Sequence, residues 1–404
     1  MRILVKIRNA VGRTVSFIRL YGEHFPVAMK MIFDPRCRVM LIQGTTRREK
    51  IPVRVLYIGR RYNGEYIEKA IFDRFEAVIE KRTTLFGFRR HAEKLESEAD
   101  LVFCDIGWPY HGLVNRHGGF LELPDWVNMA LFLEESWDET RRLFHKTIRR
   151  QDLRYIRLEG YRAETTSDPG EIADFYDRMY LPFMRSKHGG SMVKARKGHF
   201  IRRGRKGALL KILKDDVMLA GGIVFEEDDA LFFLWIGLAP ECFEKPPKAV
   251  ISAVYYFGIQ YAQEQGCEVV DFTGTRAFMG DGAFRFKRKW GAGVSDTFSP
   301  NSILFKPQRG NETAARFCQE FPMLARRRNG PEWLFFCFDQ PVDEKRLKSY
   351  YKEFECDGIS RLAVIDGSGR DVDLSAVDLE ALNTRVVRAS LDDFADHYRK
   401  NAVE

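Results

Sequence analysis

The sequence lacks any hydrophobic run near the roughly 18 residues that a membrane-crossing helix needs. It also lacks a secretory signal at its N-terminus, because Lys6, Arg8 and Arg13 interrupt every apolar stretch there. Cysteine is sparse, at 7 of 404 residues, and no two cysteines have C-x-x-C spacing. His111 and His117 have no matching cysteine or carboxylate cluster, so no metal site is expected. These absences favour a cytoplasmic protein with reduced, buried thiols.

The composition is that of an ordinary globular protein, with 45% hydrophobic and 13% aromatic residues. The chain is long enough for two or three domains. Its net charge of +8 favours anionic partners such as nucleotide cofactors, tRNA, acidic glycans or an anionic membrane surface. Residues 1–20 have apolar side chains at helical spacing with basic residues between them, which predicts a helix that lies on a membrane or packs on its own domain.

The order of apolar runs predicts the domain organisation. VRVLYIG (53–59) and LVFCDI (101–106) are typical of buried strands, with a helical pattern over 65–82 between them. Five segments follow: a basic N-terminal segment (1–50), a small α/β subdomain (51–136), a mixed α/β domain (137–300), a linker (301–330) and a C-terminal α/β appendage (331–404). The pattern leaves open whether the last segment stands alone or completes the first subdomain.

The residues after Trp137 alternate between helical and strand patterns. Residues 137–157 predict a basic helix running into a strand at 154–158, and residues 171–186 predict a second amphipathic helix. Later elements are three strands (208–214, 217–225, 230–237), a long helix (248–266), a strand (268–274) and a basic strand, FRFKRKWG (284–291).

This order resembles the GNAT N-acyltransferase superfamily, and within it the Fem-type (FemAB-like) branch. The resemblance is carried by Trp137 with the arginine-rich helix through Arg150, by FYDRMYLPFMRSKHGG (175–190), LAGGIVF (219–225), VVDFTG (269–274) and FRFKRKWG (284–291). It implies an α/β fold with a GNAT-like mixed sheet flanked by helices. It also implies transfer of an acyl group to an amine of a cell-envelope or polysaccharide precursor or of a peptide. Residues 51–136 are either a reduced second GNAT-like half or an unrelated subdomain.

One departure from the superfamily concerns the acyl donor. GNAT enzymes hold coenzyme A pyrophosphate with a Q/R-x-x-G-x-G/A loop, but residues 237–250 are GLAPECFEKPPKAV. Fem-type proteins also lack that loop, and some use aminoacyl-tRNA. The resemblance therefore implies either a coenzyme A thioester or an aminoacyl-tRNA as co-substrate.

Three residues are candidates for the chemistry. Asp271 is an acid in an otherwise apolar strand, where burial would raise its pKa toward that of a useful base; the alternative is a structural aspartate that caps the next loop. Lys287 matches the lysine of the Fem-type motif, which implies that it binds donor phosphate or carbonyl oxygen, so Lys287→Ala should lower turnover far more than stability. By the same resemblance Tyr256 would protonate the leaving thiolate, unless it is a core residue.

Further residues are candidates for binding the donor or the substrate. In a strand, Arg285 and Lys289 would share a face with Lys287, beside the cleft or in solvent. The loop after the 268–274 strand adds Thr273, Gly274 and Arg276, because loops at strand ends often line sites.

A second basic group comprises Arg185 and Lys187 with the segment 194–214, which carries nine Lys/Arg and no acid. It predicts either a surface for a polyanion such as tRNA or a nucleotide-linked sugar, or a solvated loop. Two non-enzymatic classes also stay open: a GNAT-fold binding module, and a membrane-peripheral scaffold resting on residues 1–20.

Overall fold

The computed structural model describes eleven stretches of the chain: 37–59, 61–83, 93–106, 120–188, 195–298, 302–327, 330–337, 341–359, 361–367, 370–378 and 386–390. The predicted helix at residues 1–20 lies outside the described residues. The chain forms two compact units. Unit 1 comprises the described parts of residues 1–127, 276–281 and 296–404, and unit 2 comprises those of 128–275 and 282–295.

The strands are β1 (Cys37–Thr46), β2 (Pro52–Gly59), β3 (Phe72–Thr83), β4 (Leu101–Asp105), β5 (Leu121–Pro124), β6 (Val127–Phe132), β7 (Arg162–Thr166), β8 (Ala208–Lys214), β9 (Val217–Glu227), β10 (Ala230–Leu238), β11 (Val269–Thr275), β12 (Gly293–Phe298), β13 (Ser302–Pro307), β14 (Leu324–Arg327), β15 (Gly330–Cys337), β16 (Arg361–Asp366) and β17 (Val386–Ala389).

The helices are α1 (Arg61–Ile71), α2 (Trp137–Leu143), α3 (Leu153–Leu158), α4 (Pro169–Phe175), α5 (Leu181–His188), α6 (Lys197–Lys206), α7 (Val250–Glu264), α8 (Gly282–Lys289), α9 (Glu312–Glu320) and α10 (Glu344–Phe354). A π-helical turn precedes α3 (Ile148–Asp152), and another joins α4 to α5 (Tyr176–Tyr180).

Unit 1 contains two sheets around a shared apolar core. The first has the order β3-β1-β2-β4-β13-β5, and the second β14-β15-β16-β17. Phe103 of β4 packs against Phe305 of β13, with ring centroids 4.8 Å apart, and against Phe317 of α9 at 6.5 Å. The same core includes Leu334 and Ile365 of the second sheet, so α9 is buried against residues of both sheets.

Two sequence expectations for unit 1 are wrong. The helical pattern at 65–82 ends at Ile71, and β3 follows at once because it pairs antiparallel with β1 along almost all of β1. Tertiary pairing outweighs a weak local helical preference here. The expected linker 301–330 contains β13, α9 and β14, and β13 lies inside the first sheet between β4 and β5.

Unit 2 has one seven-stranded mixed sheet with the order β12-β6-β11-β10-β9-β8-β7. The strands β7 to β10 form an antiparallel meander. Its two hairpin turns have positive φ at both central residues, Asp215-Asp216 and Asp228-Asp229, as a turn that matches the strand twist requires. Helix α7 then crosses to β11, which is parallel to β10. The expected α/β class, with mixed sheets flanked by helices, is confirmed.

Opposite faces of this sheet carry different helices. On one face α7 packs closely, since Gly258 leaves room only for the ring of Phe233. On the other face Phe175 and Phe200 of α4 and α6 form a cluster with Ile223 of β9. Each described helix is too short or too polar to cross a membrane.

Two expectations for unit 2 are also wrong. Residues 154–158 continue as helix α3, and the next strand begins only at Arg162. FRFKRKWG forms helix α8 instead of a strand. Its buried residues, Phe284, Lys287 and Trp290, recur every third position, which fits the helical period.

Candidate functional site

The parallel strands β10 and β11 separate at Asp271. They pair in three rows, from Ala230–Val269 to Phe232–Asp271, although β10 continues to Leu238 and β11 to Thr275. On its other side β10 has a β-bulge, because its pairing with β9 shifts between Phe233 and Trp235. Bulges bend a strand and are common next to active sites. Beyond the last row, the facing backbone groups of β10 and β11 do not pair with each other.

Asp271 stands at the row where the strands part. Its side chain is half-buried, and Oδ1 accepts a 2.6 Å hydrogen bond from the Thr273 amide. Burial raises the pKa of the carboxyl above the ordinary aspartate value, while the Thr273 bond and the charge of Lys287 oppose the rise. A carboxylate with a raised pKa is a stronger base than an exposed one. The expectation of a raised pKa therefore agrees with the structure.

Thr273 adopts a left-handed conformation, with φ of 61°. Such a backbone is unfavourable for a β-branched residue and needs support from its surroundings. Asp271 binds the Thr273 amide, and Nζ of Lys287 donates to the carbonyls of Thr273 and Gly274 at 3.1 and 2.9 Å. Asp271 and Lys287 thus meet at the same strained turn.

The position of Lys287 corrects its expected role. It is buried in α8, with 6% of its surface exposed, and its ammonium holds two backbone carbonyls. The side chain is therefore not the cation on a strand face that the sequence predicted, and we propose that its ammonium positions the end of β11. We now expect Lys287→Ala to lower stability as well, because the carbonyls of Thr273 and Gly274 would lose this donor.

Arg285 and Lys289 do not join Lys287 on one face. In a helix, residues four apart share a side, so Arg285 and Lys289 lie together and Lys287 points the opposite way. Arg285 is exposed, and Lys289 is half-buried. The expected row of three cations is therefore wrong, because it assumed a strand.

Arg276 is a structural residue of unit 1. It is almost fully buried, forms an ion pair with Asp125 and donates to Oδ1 of Asn63 at 2.9 Å. Its guanidinium lies 4.5 Å from the ring centroid of Tyr66 and 4.2 Å from that of Trp126. These contacts enclose the side chain, so it does not serve as the expected donor-binding cation.

Tyr256 lies away from Asp271. Its neighbour Tyr255 packs on Phe233 and Phe272, which places α7 on the face of β11 that carries Phe272. Adjacent strand residues point to opposite faces, so Asp271 points away from α7. Tyr256 instead contacts Trp137, with ring centroids 5.6 Å apart. The Trp137 contact agrees with the alternative of an aromatic packing residue, and protonation of the leaving thiolate by Tyr256 stays a prediction.

The basic segment 194–214 is ordered rather than a loop over its described part. It forms α6 and β8, and several of its lysines pair with acids of unit 2: Lys197 with Asp177 at 2.5 Å, Lys211 with Glu171 at 2.8 Å and Lys214 with Glu159 at 2.6 Å. This neutralises part of the predicted polyanion surface. Arg185 and Lys187 are exposed on α5, and their proposed binding role stays a prediction.

A second feature was not predicted from the sequence. A cavity of about 660 Å³ lies between α2, the π-helical turn, α3 and α7. Its lining includes five arginines together with Tyr256: Arg141, Arg149, Arg150, Arg154 and Arg157. The arginine-rich sequence 141–157 signalled this cluster, but not that α7 would close a cavity over it.

No family model matches the chain, and no curated protein matches it. The chain is similar in structure to Fem-type and GNAT proteins. FemX matches at 12% identity over 67% of this chain and 84% of its own, with a TM-score of 0.35. L-PGS from Bacillus licheniformis matches at 12% identity over 66% and 84%, with a TM-score of 0.31. A GCN5-related N-acetyltransferase from Sphaerobacter thermophilus matches at 12% identity over 63% and 72%, with a TM-score of 0.32.

Proposed function

We propose that unit 2 transfers an acyl or aminoacyl group to an amine at the carboxyl end of β11. The observation that carries this proposal is the parting of β10 and β11 at Asp271 after three paired rows. A ligand placed between two such strands can bind their unpaired backbone groups on both sides, as an added strand does in a sheet.

The reaction is a direct transfer. The amine nitrogen attacks the carbonyl carbon of the donor, a C–N bond forms, and the C–S or C–O bond to the donor breaks. Asp271 accepts the proton that the amine loses, and that proton then passes to the leaving thiolate or alkoxide, so the carboxylate is restored. The raised pKa of Asp271 favours this role, because it increases the proton affinity of the carboxylate near neutral pH.

Backbone amides supply the electrostatic part of catalysis. The carbonyl oxygen of the donor gains negative charge during attack, and fixed N–H groups stabilise such charge. Beyond Phe232, the side of β10 that faces β11 has N–H groups that the pairing with β11 does not use. Lys287 and Thr273 keep the opposite wall of this region in place.

The donor is a coenzyme A thioester or an aminoacyl-tRNA, and the acceptor is an amine of a cell-envelope or polysaccharide precursor or of a peptide. The sequence resemblance supports these classes, and the net charge of +8 favours donors that carry phosphates. We place the protein in the cytoplasm, with peripheral membrane contact through residues 1–20 as a separate proposal that liposome flotation would test.

A donor panel tests the function. The full chain is incubated with coenzyme A thioesters of increasing acyl length, and separately with charged tRNA, in the presence of amino-sugar and peptide amines. We expect one donor class to raise the unfolding temperature and to form an amide product. Ribonuclease should abolish product only if the donor is aminoacyl-tRNA. Absence of product across both donor classes, or equal product with Asp271→Asn, would contradict the proposal.

A further inference from the structure

The arginine-lined cavity of unit 2 concentrates positive charge. Five arginines line it, and no acidic residue does. Arg141 pairs with Asp138 at 3.3 Å, outside that lining. For Arg149, Arg150, Arg154 and Arg157 the described part of the chain gives no ion pair. The cavity therefore carries a charge that the folded unit itself compensates only in part.

Two local features of the arginine cluster are unfavourable for the stability of the protein without a bound anion. Arg154 lies four residues after Arg150 and three before Arg157, and like charges at these helical spacings repel. Nε of Arg141 is buried without a hydrogen-bond partner.

The backbone around the arginines is also unusual. Arg149 and Arg150 lie in a π-helical turn, a feature that is often found at functional sites. The wider turn changes the direction of the side chains between Ile148 and α3. Arginines from α2, the turn and α3 line this one cavity.

The shape and lining define the class of ligand. The cavity has a volume of about 660 Å³, which is in the range of small-molecule sites. A long nucleic acid would need a more extended surface. Guanidinium groups bind phosphate oxygens in pairs of hydrogen bonds. Tyr256 and Phe257 add aromatic surface and one hydroxyl.

We propose that this cavity binds a small ligand carrying two or more phosphate groups, such as a diphosphate ester or a nucleoside diphosphate. The cavity is lined in part by α7, which packs on the sheet face opposite to the one toward which Asp271 points, so diphosphate binding can be tested apart from the proposed transfer. The ligand is either a separate effector molecule or the phosphorylated part of a larger substrate. The diphosphate group is common to both.

Calorimetric titration of the full chain with inorganic pyrophosphate, ADP and adenosine tests this site. We expect pyrophosphate and ADP to bind and adenosine not to bind. Arg150→Ala combined with Arg154→Ala should weaken the binding of pyrophosphate and of ADP about tenfold or more, because two charge-assisted contacts are lost. Arg205→Ala combined with Lys206→Ala is the matched control: it removes the same charge from exposed positions on α6 and should leave binding unchanged.

The outcomes separate the alternatives. Tighter binding of ADP than of pyrophosphate identifies a nucleotide site, and equal binding identifies a diphosphate site. Asp271→Asn should bind either ligand as the unchanged protein does, even if the transferase proposal fails. The inference is overturned if neither pyrophosphate nor ADP binds, or if the Arg150→Ala/Arg154→Ala variant and the control variant weaken binding equally. It is also overturned if an RNA oligomer binds while pyrophosphate and ADP do not.

Discussion

Unit 1 and unit 2 each contain a pair of parallel strands that ends beside an aspartate, but the two ends differ. In unit 1, β2 and β4 pair in five rows, from Val55–Leu101 to Gly59–Asp105. Asp105 is buried there and accepts hydrogen bonds from Asn63 at 3.0 Å and Tyr57 at 3.4 Å. In unit 2, β10 and β11 pair in three rows, and Asp271 stays half-buried at the point of separation.

The difference separates a structural aspartate from a candidate base. Where the strands stay paired to their ends, the backbones leave no space: a Cβ on Gly59 would lie 2.8 Å from that of Asp105. The carboxylate is then enclosed in hydrogen bonds, as buried polar groups usually are. Where the strands part early, Asp271 is only half-buried, and this partial burial raises the pKa of its carboxyl. The proposed site therefore rests on strand separation and not on the aspartate alone.

Asp271→Asn is expected to have the largest effect on this comparison. It should lower the transfer rate about 100-fold or more, because a general base contributes about that much. In the unchanged protein the rate should rise with pH through a pKa above the ordinary aspartate value, and this limb should be lost in the variant.

The stability of the unchanged protein should depend on pH through Asp271. A raised pKa means that the folded state binds this proton more tightly than the unfolded chain does, so the stabilising contribution of protonated Asp271 is lost as the pH rises through the folded pKa. Asp271→Asn should lack that decline. Urea unfolding at acidic and neutral pH measures it, and a variant that unfolds more easily at neutral pH would indicate a structural aspartate.

Arg276→Met should have the largest effect on stability in unit 1. It removes the ion pair between the mostly buried side chains of Arg276 and Asp125, and breaking a buried ion pair costs about 3–5 kcal/mol. The transfer rate per folded molecule should be retained. A variant of normal stability with a lowered rate would restore Arg276 as a donor-binding residue.

Lys287→Met should have intermediate effects on both properties. The carbonyls of Thr273 and Gly274 lose their donor, which costs about 1–3 kcal/mol. The charge of Lys287 lowers the pKa of Asp271, so its removal should move the rising limb of the pH–rate profile to higher pH. If the variant is less stable but the rising limb of its pH–rate profile does not move, Lys287 has only a structural role.

Arg285→Ala should have the smallest effect, within about 0.5 kcal/mol in stability, because the side chain is exposed on α8. Its transfer rate should stay within about twofold of the unchanged protein. If FRFKRKWG bound the donor through a row of cations, Arg285→Ala and Lys287→Met would instead weaken donor binding alike.

The sequence predicted the elements of unit 2 whose signals are local. The strands predicted at 208–214 and 217–225 and the helix predicted at 248–266 were found within a few residues of those bounds as β8, β9 and α7. FRFKRKWG was mispredicted because it fits both periods: Phe284 and Phe286 alternate as in a strand, whereas Phe284, Lys287 and Trp290 repeat as in a helix.

The geometry of the site could not be predicted in the same way. Asp271 was identified as an acid in an apolar strand, but the row at which β11 leaves β10 depends on packing across the whole sheet. The left-handed turn at Thr273 has no sequence signal, since β-branched residues rarely adopt it. Arg276 was misplaced because its partner Asp125 lies 151 positions away in sequence.

Hydrogen exchange of the Asp271→Asn protein, with and without the donor that the panel identifies, shows whether the donor binds between β10 and β11. This variant should still bind the donor without consuming it. The account predicts slower exchange of amides in residues 233–238 and 272–275, where the two strands have separated, and little change in β2 and β4. Donor binding that leaves exchange in both of these segments unchanged would contradict a transfer site between β10 and β11.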